Sequence, residues 1–401
     1  MEIPKNIYHR ETYLNRIKPF MEKGLIKVIT GQRRVGKSYL LFQIMELILL
    51  KNPKAKILYI NKEDLAFASI TNEKELNEYV LANSNNKGTT FVFIDEIQDI
   101  LNFEQALRSL LLLPHFDIYI TGSNANLLAQ DVAGVLSGRS IEIEVYSLSY
   151  NEFLDFHQLE DNAETLTKYL KYGGLPFLKN LEHTDPIVFE YLKNIYSTIV
   201  YKDIINRYEV RNVPFLEQLV IFLAGNIGSL FSAKKIADFL KSQRIKIAPN
   251  QVQIYVQYLA NAFLIHSVSR YDIQGKRVFE IGEKYYFENL GIRNAIWGFR
   301  AQDKGKIMEN AVYNHLLFKG YKVFVGKNGT EEIDFYCEKD GEKRYIQVAL
   351  NITEEKTLTR EFGNLLKIKD NYPKLLITYD TFEGNTYEGI ALQSLSTFLK
   401  S

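Results

Sequence analysis

Only one cysteine, Cys337, stands in the 401 residues. That excludes an internal disulfide framework and fits a reducing compartment. Long hydrophobic runs are missing too: every apolar stretch is interrupted well before the roughly 18 residues a membrane span needs. The N-terminus, Met1-Glu2-Ile3-Pro4-Lys5 running into the charged Tyr8-His9-Arg10-Glu11, carries no signal pattern. Charge of one sign is absent as well. Lysine and arginine number 49 against 48 acidic residues, a net charge of +1, so no global field draws the protein to nucleic acid or membrane and any such binding must be local. No period of repeats and no low-complexity linker breaks the chain. With 46% hydrophobic and 24% charged residues, the expectation is a globular cytoplasmic protein. Single cores usually stop growing near about 250 residues, so two to three domains are expected.

What is present begins with Gly31-Gln32-Arg33-Arg34-Val35-Gly36-Lys37-Ser38, a G-x-x-x-x-G-K-S sequence. It follows the apolar run Leu25-Ile26-Lys27-Val28-Ile29-Thr30 and precedes Tyr39-Leu40-Leu41-Phe42. A strand, a loop and a helix in that order make a phosphate-binding loop. Gly31 and Gly36 let the backbone curl so that successive N–H groups point at phosphate oxygens, and the following helix adds the positive end of its dipole. The contacts to ATP are expected from Gly31, Arg34, Val35, Gly36, Lys37, Ser38 and Tyr39. Lys37 reaches the β- and γ-phosphates, and the Ser38 hydroxyl serves Mg²⁺.

About sixty residues on, Thr90-Phe91-Val92-Phe93-Ile94 ends in Asp95-Glu96, which reads as a Walker B strand. Asp95 is expected to hold Mg²⁺ through water, and Glu96 to orient or polarise the attacking water. A third strand, Asp117-Ile118-Tyr119-Ile120-Thr121, ends in Gly122-Ser123-Asn124. Thr121, Ser123 and Asn124 are all candidates to touch the γ-phosphate or the lytic water; Asn124 is chosen because an amide both donates to phosphate and accepts from water. Arg139, in Leu136-Ser137-Gly138-Arg139-Ser140, is the candidate cation for charge building on the transferring phosphoryl group, in its own subunit or a neighbour's. Asn61-Lys62-Glu63-Asp64 matches the N-K-x-D pattern that reads guanine. It lies before Asp95 instead of after it, so adenine is the expected base.

Strands near 25–30, 56–60, 90–95, 117–121 and 140–145, separated by amphipathic helices, imply a parallel sheet covered on both faces over residues 1–148. Residues 149–213 turn helical around Gly173-Gly174-Leu175-Pro176 and read as a lid over the nucleotide. Residues 214–299 hold two helices, Ala233 to Leu240 and Ala248 to Leu259, then two strands bracketing Gly275, as in a winged helix. DNA binding there places Gln251, Gln253 and Gln257 at the groove and Lys234, Lys235, Lys241, Arg244 and Lys246 near phosphates. A protein-contact module keeping only the shape is the alternative, since the second helix has no Arg or Lys. Residues 300–401 run helix, strand, hairpin, helix, strand. That order resembles the restriction-endonuclease fold, in which a helix glutamate, a strand aspartate and an acid two before a lysine hold Mg²⁺. Glu309 and Asp334 take the first two places, but Gln347 and Ala349 stand where the acid and lysine belong. The expectation is a nuclease-like fold without cleavage, in which Glu309 and Asp334 hold a weak metal or cap the fold.

The series GQRRVGKS, FVFIDEIQ, ITGSNANLL, LSGRS, YSLSYNEF, YGGLPFL and YIQVALNI resembles, over nearly the whole chain, a prokaryotic family of AAA-type ATPases that carry a C-terminal domain of unknown function. The resemblance implies an α/β fold with a RecA-like P-loop parallel sheet, a helical lid, a winged helix and a C-terminal α/β restriction-endonuclease-like domain. It implies no substrate. Three functions follow as expectations: a Mg²⁺-dependent ATPase switch acting on DNA or a protein partner, a nucleotide-regulated DNA-binding module of a defence or mobile-element system, and an ATP-gated nuclease. An oligomer is compatible with all three and required by none.

Overall fold

The computed structural model describes residues 3–5, 7–84, 88–125, 138–242, 247–350, 362–379 and 386–401. Leu136, Ser137, Arg244, Lys246 and residues 351–361, which include the start of the second helix expected in the C-terminal segment, lie outside them. The chain divides into two compact units, Met1–Val145 with Asn261–Phe263, and Tyr146–Ala260 with Leu264–Ser401.

The first unit is built on β1 (Ile26–Thr30), β2 (Lys56–Asn61), β3 (Thr90–Asp95), β4 (Phe116–Gly122) and β5 (Ser140–Glu144). They form one sheet in the order β2-β3-β4-β1-β5 with every neighbouring pair parallel. β1, β3 and β4 are buried at every residue, as strands covered on both faces must be. After α1 (Glu11–Ile17), the sheet is joined by α2 (Lys37–Lys51), α3 (Glu73–Asn83) and α4 (Phe103–Leu111). One face packs Val28, Ile60, Val92, Ile94, Ile118 and Ile120 against Leu76 and Val80 of α3 and Leu107 and Leu110 of α4. Because β4 runs between β1 and β3, the carboxyl ends of all three strands lie side by side, where open α/β sheets bind ligands.

The second unit begins with α5 (Tyr150–His157), α6 (Ala163–Tyr172) and α7 (Asp185–Thr198). A capping box of Ser149 and Glu152 starts α5, which fixes the helical onset the sequence places after residue 148. The double glycine is a packing device: a Cβ on Gly174 would sit 2.4 Å from the carbonyl oxygen of Leu148. α7 runs on into a seven-residue π-helix, Ile199–Ile205. Then come α8 (Val213–Gly225), β6 (Leu230–Phe231), α9 (Ala233–Ser242), α10 (Pro249–Asn261), β7 (Ile265–Asp272) and β8 (Arg277–Phe287). They are followed by α11 (Leu290–Trp297), α12 (Lys304–Phe318), β9 (Lys322–Asn328), β10 (Glu331–Lys339), β11 (Glu342–Ala349), β12 (Lys374–Thr378), β13 (Thr386–Tyr387), β14 (Ile390–Ser394) and α13 (Leu395–Lys400).

Its strands form a single nine-stranded sheet, β13-β14-β12-β11-β10-β9-β7-β8-β6. The joint is the parallel pairing of Arg270, Tyr271 and Asp272 with Val325, Gly326 and Lys327. The boundary drawn at residue 299 in the sequence therefore falls inside one continuous sheet. Parallel pairing of β7 with β9 joins residues more than fifty positions apart, a contact that local periodicity does not encode. Among the described residues no helix is long and apolar enough to cross a membrane.

Candidate functional site

The phosphate loop leaves β1 at Thr30 and enters α2 at Lys37. Gly31 has φ +139°, and a Cβ there would lie 2.2 Å from the carbonyl oxygen of Val145, so no side chain fits. Gly36, at φ +99°, caps α2 from the left-handed region, and the exposed Arg34 also has a positive φ, +71°. The loop thus meets the amino end of a fifteen-residue helix, where unpaired N–H groups and the dipole favour an anion. The buried Lys37 ammonium spans the loop, donating to the carbonyls of Gly31 at 2.9 Å and Gln32 at 3.0 Å. Tyr39 is exposed in the first turn of the helix.

The end of β3 supplies the acids. Asp95 is 2% exposed and accepts hydrogen bonds from the hydroxyls of Thr121, Tyr59 (3.1 Å) and Ser38. Burial lifts its carboxyl above the usual carboxylate range, against the opposing pull of Ser38, Thr121 and Lys37. Ser38 and Asp95, read from separate motifs, are thus in contact. An all-oxygen pair of hydroxyl and buried carboxylate is the chemistry Mg²⁺ takes, so the residues present fit that ion.

Glu96 follows at φ 57°, ψ 51°. A non-glycine residue in the left-handed region marks a backbone held by its surroundings. Hydrogen bonds hold it: its N–H donates to Thr121 Oγ1 at 3.0 Å, and its carboxylate accepts from Gln98 and from Ser123 Oγ at 3.4 Å. Thr121 therefore bridges the two acids from β4, taking the N–H of Glu96 and giving its own proton to Asp95. Asn124 is 1% exposed two residues past the end of the same strand, and Thr121 and Ser123 near it contact the acids.

Arg139 is placed apart. Its carbonyl accepts from the N–H of Ile26 at the start of β1, its side chain is exposed, and β1 runs five residues from there to Thr30. At about 3.3 Å per residue this puts its backbone some 13 Å from the loop edge of the sheet. In its own chain Arg139 is not assembled with Lys37 and Asp95.

Several site residues gave no motif signal. Tyr59 reaches Asp95 from β2. Arg10, 2% exposed, donates to the Val35 carbonyl at 3.2 Å, steadying the loop from an N-terminal segment with no pattern of its own. Phe263, outside every motif, accepts from the loop's Gln32 at 2.7 Å through its carbonyl. The N-K-x-D sequence is consumed locally: Lys62 donates to the carbonyls of Phe67 and Ile70, Asn61 accepts from the N–H of Glu63, and Asp64 from that of Ala66.

Glu309 and Asp334 do come together in the second unit, and a lysine comes with them. Lys284 of β8, its side chain 3% exposed, lies 2.8 Å from Glu309, 3.0 Å from Glu332 and 3.6 Å from Asp334. Burial acts against its charge, but Glu309, Asp334 and Glu332 together hold the ammonium well above the ordinary lysine value. Gln347, in the place of the missing acid, accepts from the N–H of Asp334 at 3.2 Å.

A family profile described as an AAA domain matches residues 23–154, and one described as a domain of unknown function (DUF8612) matches residues 163–303. An uncharacterised protein of Haemophilus influenzae is 36% identical over 96% of this chain and 97% of its own length. The uncharacterised protein MJ1544 of Methanocaldococcus jannaschii is 31% identical over 88% of this chain and 82% of its own. Among solved structures, the Walker-type ATPase PABY2304 of Pyrococcus abyssi is similar in fold, with a TM-score of 0.50 and 16% identity over 72% of this chain and 95% of that one.

Proposed function

Since the chain belongs to the family of these full-length relatives from Haemophilus influenzae and Methanocaldococcus jannaschii and carries an AAA domain on a P-loop sheet, we propose that it binds ATP and hydrolyses it with Mg²⁺, and that hydrolysis drives a conformational switch acting on DNA or a protein partner. The observation that carries the reading is the single buried cluster in which Ser38 meets Asp95 and Thr121 joins Asp95 to Glu96.

In this reading Lys37, the loop N–H groups and the amino end of α2 bind the β- and γ-phosphates, and Lys37 exchanges the loop carbonyls for phosphate oxygens. Ser38 and Asp95 would hold Mg²⁺, which would neutralise charge developing on the phosphate oxygens. Glu96 accepts a hydrogen bond from water in line with the γ-phosphorus, and Thr121 fixes its backbone for that task. Asn124 is the further candidate for water or γ-phosphate. Arg139, exposed at the far edge of the sheet, would serve a neighbouring copy's nucleotide and not its own.

The element order α8-β6-α9-α10-β7-β8, with β6 and β7 both antiparallel to β8, supports a winged helix. Lys234, Lys235 and Lys241 are exposed on α9, and Gln253 and Gln257 on α10, which favours duplex DNA as the target. The test is phosphate release from ATP by the full chain, with and without duplex DNA at two salt concentrations, beside duplex binding. Turnover stimulated by DNA is expected. Replacing Lys234 and Lys235 by Ala should lower the slope of log affinity against log salt by about 2, one phosphate contact each. Turnover indifferent to DNA, with no salt-dependent duplex binding, would remove DNA as the target and leave the protein partner. No turnover under any of these conditions would remove the ATPase.

A further inference from the structure

The second unit's order of α12, β9, β10, β11 and β12, with β9, β10 and β11 antiparallel in turn and β11 parallel to β12, is that of the restriction-endonuclease fold, which implies a divalent cation at Glu309 and Asp334. The residues present do not fit one. We propose that the Lys284 ammonium occupies that seat permanently, so that the carboxylates of Glu309, Glu332 and Asp334 form a closed ion cluster and the C-terminal domain is a metal-free structural module, not a cleavage site.

Three observations, set against what Mg²⁺ requires, carry this. Lys284 Nζ lies within hydrogen-bond reach of two carboxylates, at 2.8 Å from Glu309 and 3.0 Å from Glu332, and 3.6 Å from the third. An octahedral Mg²⁺ needs its oxygens at about 2.1 Å and several waters besides, so the ion and the ammonium cannot share the space. The carboxylate oxygens are engaged elsewhere as well: Glu309 Oε1 also accepts from the Tyr286 hydroxyl at 2.5 Å, and Asp334 Oδ2 accepts from the N–H of Val348 at 2.9 Å. The cradle is walled at Gly228, where even a Cβ would come within 3.0 Å of Glu309 Oε2.

Lys284 is also fixed at its backbone end. It pairs with Leu230 of β6 and Val268 of β7, so its backbone cannot shift without opening the sheet. The missing lysine at position 349 has thus not been replaced by a catalytic one. Lys284 has its ammonium committed to carboxylates and its strand committed to neighbours on both sides. The cluster ties β8 to α12 and β10, the same junction at which β7 pairs with β9. Its role is to lock the hairpin to the C-terminal strands as one body.

The experiment is Mn²⁺ titration of the nucleotide-free full chain followed by electron paramagnetic resonance, in an Asp95→Asn background that silences the first unit's acid. The background protein is expected to show no saturable Mn²⁺ site that responds to Asp334→Asn. Lys284→Met is expected to gain one site, at least 10-fold tighter than any in the background protein, and to lose it again with Asp334→Asn. Lys284→Gln, which keeps an amide donor, is the milder second variant if the methionine protein does not fold. Asp334-dependent Mn²⁺ binding by the background protein, which needs no Lys284 variant, would overturn the proposal. So would Mg²⁺-dependent nicking of DNA by the unmodified chain that Asp334→Ala abolishes, or a folded Lys284→Met or Lys284→Gln protein that gains no site.

Discussion

Replacing Glu96 by Gln is expected to leave ATP bound and to slow its turnover by roughly 10²–10⁴-fold, the usual worth of a positioned general base. The amide is isosteric, so the contacts that hold residue 96, its N–H on Thr121 and its side chain near Gln98 and Ser123, survive in large part. What disappears is the negative charge that polarises water. The site's binding groups, Lys37 on the loop and Ser38 with Asp95, are untouched, so nucleotide affinity should stay within a few-fold. Equilibrium binding of a fluorescent ATP analogue beside single-turnover phosphate release separates the two effects. Loss of binding together with turnover would show that Glu96 holds the site's shape and not its water.

Asp117→Asn is expected to destabilise the first unit by about 3–5 kcal/mol, the cost of breaking a buried ion pair by removing one charge. Lys27 and Asp117 sit near the amino ends of the inner strands β1 and β4, 0% and 2% exposed at the side chain. Asp117 also accepts from the Tyr119 hydroxyl at 2.7 Å and the N–H of Glu22 at 3.1 Å. With the carboxylate neutralised, the Lys27 ammonium is left without its counter-charge beneath the phosphate loop's own strand. Burial already pulls that ammonium below the ordinary lysine value, with Asp117 and Glu22 pulling the other way, so removing the Asp117 charge pushes it further in the same direction. Thermal unfolding should show the transition of this unit lowered by roughly 10 °C. The pair of changes Lys27→Met and Asp117→Leu, which removes both charges, should cost much less. An unchanged transition in Asp117→Asn would mean that water reaches the pair.

The parts of this molecule that repeat a local pattern were readable in advance. Gly31 to Ser38 announce their loop because the backbone geometry demands glycines at two fixed places. The five parallel strands announce themselves as apolar runs because both faces of the sheet are covered. The family profile over residues 23–154 and the P-loop sheet bear out that part of the reading. Contacts that depend on register between distant strands were not readable. Tyr59 meets Asp95 only because β2 lies beside β3. Lys27 hides in a run that reads as apolar, since its partner Asp117 is ninety residues away. Arg139 looked close to the nucleotide in sequence order, yet the parallel register Ile26 to Ser140 sets it at the opposite edge of the sheet. Lys284 belongs to no motif in the sequence. Its meaning depends on three carboxylates from α12 and β10, which no spacing in the chain connects to it.

The most direct test of the account is phosphate release from ATP by the wild-type chain and by Lys37→Ala, purified side by side and checked for equal thermal stability. Lys37 donates to loop carbonyls at 2.9 and 3.0 Å, and it stands where the phosphates would lie. Removing it should therefore lower turnover by at least about 100-fold, as loss of one transition-state donor does, without unfolding the sheet. Wild-type turnover that Lys37→Ala leaves unchanged would contradict the assignment of this loop as the catalytic nucleotide site.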